Sequence, residues 1–243
     1  MKAKIPSILG ILILAGGLVG SVWGVRKIQN IRSQAATVGP VPQSLRVTNI
    51  KDTSFSISWI TESETTSFIE YEGPDKVTFQ TPISTSSLTH YFSIQNLKPD
   101  SVYSFRINMD GNFYDNAGIP WTQKTSTTIN PEEGKIVSGK ILTAENLPAK
   151  NALVYIDAPN METQSAIVTE SGNWVAHLPS LDDATVIDIS VQNSLTQTSS
   201  AKIALKDANP TPTITIGKTF DFRNQTQSGA MDIPEVQINL PGR

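Results

Sequence analysis

The chain has 243 residues, 17% of them charged, a formal net charge of −3 and no cysteine. A nucleic-acid partner calls for a basic face, and this balance offers none; the missing thiols exclude a disulfide frame and a thiolate site, so any domain is held by its core alone. Fifteen glycines, fifteen prolines, plentiful Ser and Thr, and no long amphipathic helical period beyond the N-terminus indicate an all-β protein rich in turns.

Lys2 and Lys4 precede an uncharged run from Ile5 to Val25, which Arg26, Lys27 and Arg32 close. As a helix this run reaches about 30 Å, enough to cross a hydrocarbon core. A signal-peptidase cut at Ala36, after the small residues Ser33 and Ala35, would lie far from the apolar run with three cations between. The run is therefore read as an uncleaved signal-anchor, spanning the lipid bilayer once with the N-terminus inside and the bulk of the chain outside. Within it Gly16, Gly20 and Gly24 recur every fourth residue and stack on one helix face. Small residues let two membrane helices approach closely, so this face is expected to support self-association.

After a short linker, alternation begins. Leu45 and Val47 point inward from a strand over 44–50, and Phe55, Ile57 and Trp59 from one over 54–60. Ile69 and Tyr71 share a side over 67–71, Phe92 and Ile94 over 90–97, and Tyr103, Phe105 and Ile107 over 102–109; a last strand covers 121–125. Strand-sized runs at this spacing, parted by turn residues, indicate a β-sandwich. Pro99 suits a corner between strands, because its φ is fixed and it has no N–H. Tyr103 then opens the next strand, with a ring for the core and a hydroxyl that needs a partner from the corner backbone. Leu97 plugs the core beneath. Trp59, Leu97, Pro99 and Tyr103 are thus read as structural pegs.

Pro42 before the first strand, Trp59, Tyr71 and the Leu97–Pro99–Tyr103 corner together resemble a fibronectin type III domain over about 40–127. The stretches "TTSFIEY" and "HYFSIQNL" are also similar to the fibronectin-type domain that precedes the catalytic part of purple acid phosphatases. No metal-ligand set follows them here, so that likeness implies the module and not the activity.

Residues 128–133 read as a second linker. Beyond it, strands are expected over 134–142, 185–192, 200–206 and 212–216, and the stretch 147–158 leads into an apolar strand. The stretch 165–178 is read as a hairpin turning at "ESGN", with Ile167 on one arm and Trp174 on the other; Gly172 supplies the permissive dihedral. Gly139, "LPAKNALVYI" and "TESGNWVAHL" resemble a carboxypeptidase-regulatory-like, transthyretin-type (prealbumin-like) sandwich over 134–217, a module that implies a stalk or accessory role. In order, the chain reads as signal-anchor 1–34, linker 35–41, first sandwich 42–127, linker 128–133, second sandwich 134–217 and tail 218–243. The fold class is all-β: two consecutive β-sandwiches behind one transmembrane helix.

Chemistry is sparse in the pattern. His90 and His177, the two histidines, fall in different modules and read as ordinary strand-edge residues, so no metal site is expected. No Gly-x-Ser-x-Gly elbow occurs. Lys135 or Lys140 with Asn193 or Asn209 has the residue types of an internal isopeptide bond, without the acidic catalyst such bonds need; solvated lysines are the simpler reading. The loop 110–118, "DGNFYDNAG", does not fit a calcium loop, because its Gly and third ligand are misplaced. Its plain reading is a strand connection of turn formers. Its sharper reading is a recognition loop presenting Asp110, Asn112, Phe113, Tyr114, Asp115 and Asn116 from a rigid sandwich.

These features lead to the expectation of a non-catalytic, single-pass cell-surface protein for adhesion, envelope organisation or display of binding modules. It resembles membrane-anchored fibronectin-type proteins of bacteria. Its partners would be the membrane and a protein or glycan surface ligand, with no cofactor and no nucleic acid. The competing reading is an accessory or anchoring part of an extracellular enzyme acting on glycans or phosphoesters.

Overall fold

The computed structural model of the chain describes residues 40–128 and 133–223. The expected signal-anchor, with Gly16, Gly20 and Gly24, lies outside the described residues, as does the tail from 224. Among the described residues no helix is long and apolar enough to cross a membrane.

Residues 43–124 form eight strands: β1 (Gln43–Thr48), β2 (Phe55–Thr65), β3 (Ser67–Glu72), β4 (Thr78–Gln80), β5 (Ser87–Ile94), β6 (Val102–Met109), β7 (Asn112–Tyr114) and β8 (Trp121–Lys124). They make two antiparallel sheets, β1-β2-β5 and β4-β3-β6-β7, with β8 also pairing β6. Alternation drives the packing: Phe55, Ile57, Trp59, Ile69, Phe92, Ile94, Phe105 and Ile107 meet in one buried core between the sheets. Trp59 stacks on Phe92 with centroids 5.5 Å apart, and its indole N–H points to Met109 Sδ at 3.3 Å. Two strands were not expected from the sequence. β4 is a short exposed edge. β7 follows a two-residue turn in which Asp110 and Gly111 both have positive φ, 47° and 86°. This is the geometry that an Asp-Gly hairpin favours.

Residues 135–221 form β9 (Lys135–Leu142), β10 (Leu153–Asp157), β11 (Gln164–Ile167), β12 (Asn173–Leu178), β13 (Val186–Gln192), β14 (Thr198–Ala204), β15 (Ile214–Thr215) and β16 (Thr219–Asp221). The sheets are β11-β10-β13-β14-β16 and β12-β9-β15. Val137, Ile141, Val154, Ile156, Trp174, Ile187, Ile189 and Ile203 fill the space between them. The stretch 165–178 is not a hairpin. Its turn is present, closed by Thr169 N–H to Asn173 O at 2.8 Å, but β11 pairs with β10 and β12 with β9 in the opposite sheet. The chain turns a corner there because both arms carry core residues, Ala166 on one sheet and Trp174 on the other, that enter the same core. β16 lies in the stretch read as tail and pairs in parallel with β14, so that stretch adds a strand to the sheet. No lysine meets an asparagine in isopeptide fashion among the described residues: Lys135 Nζ pairs with Asp183, Lys140 is exposed, and Asn209 Oδ1 accepts from Ser138 Oγ.

The described residues from Pro42 onward form one compact unit. β2 explains why. Every residue from Phe55 to Thr61 is buried: one face serves the first core, and the other (Ser56, Ser58, Ile60) meets the outward face of β10 and β11. There Ile60, Leu153 and Tyr155 form a small cluster of their own, all fully buried. The described part is thus four sheet layers deep, with the three-stranded sheet β1-β2-β5 covered on both sides.

Candidate functional site

Among the described residues, covering that sheet leaves the first sandwich one open sheet face, the outer side of β4, β3, β6, β7 and β8. Strand register sets what it displays. Phe68 and Phe113 flank Asn108 across β3, β6 and β7; Asn108 itself is buried and its Oδ1 accepts the backbone N–H of Gly111 at 3.0 Å, so the two rings are what this rung displays. On the next rung Gln80, Glu70 and Arg106 are neighbours, and on the one after Thr78, Glu72, Ser104 and Thr122. Phe113 is 52% exposed and meets the half-buried Phe68 edge to face, centroids 6.0 Å apart. Gln80 donates to Glu70 at 3.2 Å. A shallow hollow of about 200 Å³ opens between Glu70, Glu72, Thr78, Ser104, Arg106 and Pro120. Pockets that bury a small molecule are typically about 300–1,000 Å³, so this hollow suits a single side chain or sugar edge within a flat contact.

The loop beside the face divides into two kinds of residue. Asp110 Oδ1 accepts from the backbone N–H (3.0 Å) and hydroxyl (2.8 Å) of Thr66, tying the hairpin to the β2–β3 corner. Asp115 Oδ1 accepts from Gly118 N–H at 2.6 Å, and its Oδ2 pairs with Arg106 Nε at 3.3 Å. Both carboxylates therefore hold the loop's own shape. Tyr114 is half-buried against the core. Asn112, Phe113 and Asn116 are exposed, and Phe113 alone of these three is placed on the sheet face by strand register. Phe68, Glu70 and Arg106 escaped the sequence reading. Their signal was the complement of the core alternation: in "SFIEYE" and "SFRINM" the residues between the core positions are the outward ones, and Phe68 is an aromatic among polar neighbours.

The pegs sit away from this face. Trp59 is fully buried, Leu97 and Tyr103 nearly so, and Tyr103 Oη accepts the backbone N–H of Lys98 at 2.8 Å. Pro99 stands between them in the turn, its carbonyl accepting from Ser101 Oγ at 2.8 Å. Of the histidines, His177 is exposed, whereas His90 is no ordinary edge residue. It is 2% exposed and stacks on Trp59 at 4.9 Å. Its Nδ1 lies 2.8 Å from Ser67 Oγ and its Nε2 3.1 Å from Thr65 Oγ1. Burial pushes its pKa down to about 4; the charge of Asp110 and a backbone bond at Ser87 pull weakly the other way. Neutral and enclosed, His90 is a packing residue here.

The fibronectin type III domain family matches residues 40–128. No curated protein matches the chain. Among solved structures, the sensor domain of the anti-sigma factor RsgI4 from Pseudobacteroides cellulosolvens is 18% identical, with 36% of this chain and 95% of that one covered and a TM-score of 0.30. The FN5 domain of Drosophila Lar is 22% identical over 35% of this chain and 94% of that one, TM-score 0.28. A segment of two fibronectin type III domains from chicken tenascin is 15% identical over 67% and 98%, TM-score 0.28.

Proposed function

We propose, from the premise that residues 40–128 are a fibronectin type III domain, that the chain is a non-catalytic, membrane-anchored surface protein that presents this domain's open sheet face to a protein or glycan ligand. One observation carries the reading. The domain has two outer sheet faces; one is covered by the second sandwich, and the other displays the Phe68–Phe113 pair beside Glu70 and Arg106. An exposed aromatic on a rigid strand is a low-entropy anchor for recognition. The apolar run Ile5–Val25 supplies the membrane attachment. The second sandwich serves as the support that fixes the direction in which the face looks.

The full chain, reconstituted in lipid vesicles, is screened against arrayed glycans and surface proteins. A ligand is expected whose binding falls at least ~10-fold in Phe113→Ser and is unchanged in Val175→Ser, an exposed apolar residue of the second sandwich. Equal binding by both variants would remove the face from the reading. Release of the chain from membranes by alkaline carbonate would remove the anchor.

A further inference from the structure

The contact between the two sandwiches is organised around one side chain. Asn49 follows β1 with φ of 52°, in the left-handed region that Asn tolerates. That conformation turns its amide onto the free edge of β11. Asn49 Oδ1 accepts the backbone N–H of Ser165 at 2.8 Å, and Nδ2 donates to Ser165 O at 3.0 Å. These two bonds copy the pair that a neighbouring strand would make with an edge residue. The same Nδ2 lies 3.0 Å from Ser56 Oγ and 2.9 Å from Tyr91 Oη. The backbone N–H of Asn49 reaches Thr163 O at 3.3 Å.

The rest of the contact is mostly hydroxyl. Thr48 Oγ1 meets Ser165 Oγ at 2.5 Å, Ser58 Oγ meets Tyr155 Oη at 2.9 Å, and Thr89 Oγ1 donates to Asn151 O at 2.7 Å. The Arg46 guanidinium lies 4.2 Å from the centre of the Tyr155 ring. Each sandwich has its own closed core, so parting them unfolds neither. Water can replace hydroxyl–hydroxyl bonds nearly one for one; Ile60, Leu153 and Tyr155, with Tyr91 and Leu195 packed against them, are the apolar groups that resist parting.

We propose that Asn49 is a latch: it holds the two sandwiches as one rigid body through a contact that opens separately from unfolding. The inference is independent of whether the open sheet face binds a ligand. Without the amide, the closed state keeps Ser165 N–H dry and unpaired and leaves its C=O only the long 3.4 Å bond from Tyr91 Oη, whereas the open state hydrates both. The balance then moves towards opening by roughly 10- to 100-fold.

The sequence has no cysteine, so spin labels can be placed at Val102→Cys and Val175→Cys, both about half exposed and in different sandwiches. The full chain is expected to give one narrow distance distribution. Asn49→Gly removes the amide and still accommodates the positive φ; it is expected to add a broad second population, with Ser165 amide exchange faster by that same factor and the core amides of Ile57 and Val154 still slow. An unchanged distribution and unchanged Ser165 exchange would overturn the latch. So would core amides that accelerate together with Ser165, because the contact would then not part separately. The unaltered chain provides a second check: exchange at Ser165 is expected to depend less on urea than exchange at Ile57. Equal dependence would mean that only global unfolding opens the contact.

Discussion

In the first sandwich nearly half of the buried core is aromatic: Phe55, Trp59, Phe92, Tyr103 and Phe105 share it with aliphatic side chains, and the imidazole of His90 stacks on Trp59. In the second, Trp174 and Phe222 stand among Val, Ile and Ala side chains, and close backbone approach does what large rings do next door. A Cβ on Gly139 would lie 2.1 Å from Thr211 Oγ1 and 3.0 Å from Trp174 Nε1. The first core is therefore sensitive to lost volume and to protonation, the second to added volume. The tolerance of a β-sandwich is set by how its space is filled, not by its layer count.

Four experiments press on this contrast. Trp59→Ala should have the largest effect, about 3–5 kcal/mol from lost core volume, read as a drop in the melting of β1–β8 by hydrogen exchange; a loss below 1 kcal/mol would deny the ring its central place. Acid comes next. Because the folded pKa of His90 is about 4 against about 6.5 unfolded, both states are neutral above pH 6.5 and stability is full there. As pH falls from 6.5 to 4 the unfolded chain binds a proton that the folded one refuses. Up to about 3 kcal/mol is then lost, with no further loss from this group below pH 4. His90→Gln should flatten that window, and an unflattened profile would assign the acid sensitivity elsewhere.

Gly139→Ala should destabilise the second sandwich by about 1–3 kcal/mol through overpacking, seen as faster exchange in β9 and β12 while β2 and β5 are less affected. An unchanged melt would mean that Thr211 and Trp174 move aside freely. Tyr103→Phe is expected to be mildest, at about 1 kcal/mol, since it removes the acceptor of one backbone N–H and leaves the ring. Full stability in that variant would show that water serves Lys98 N–H as well as the phenol does.

The first core was legible because period-two alternation is a property of single strands: the sequence puts Phe55, Ile57 and Trp59 on one side whatever lies on the other. The second side of β2 was not legible for the same reason. Ser56 and Ser58 look like ordinary outward residues, and only the presence of β10 and β11 makes that face an interface. Asn49 gave no signal either, since an Asn after a strand is also a common turn former. The corner at 165–178 was misread because a local turn specifies its own bonds but not which sheets its arms join. For the open face, the sequence flagged Phe113 through its loop. The partners Phe68 and Arg106 needed the strand register that brings three separate segments to one surface.

A sandwich joined to its neighbour by a linker alone would keep its surface to itself. The packing of β2 between two sandwiches changes that here. Thr48, Asn49, Ser56, Ser58 and Ile60 fit one particular neighbour, so this domain is not portable. Transplanted alone into another chain, it would carry a half-used surface, and a different sandwich placed after it would find no mating edge. Because the Asn49 amide bonds the backbone of residue 165, not its side chain, a change at Asn49 is expected to loosen the pair whatever residue stands at 165.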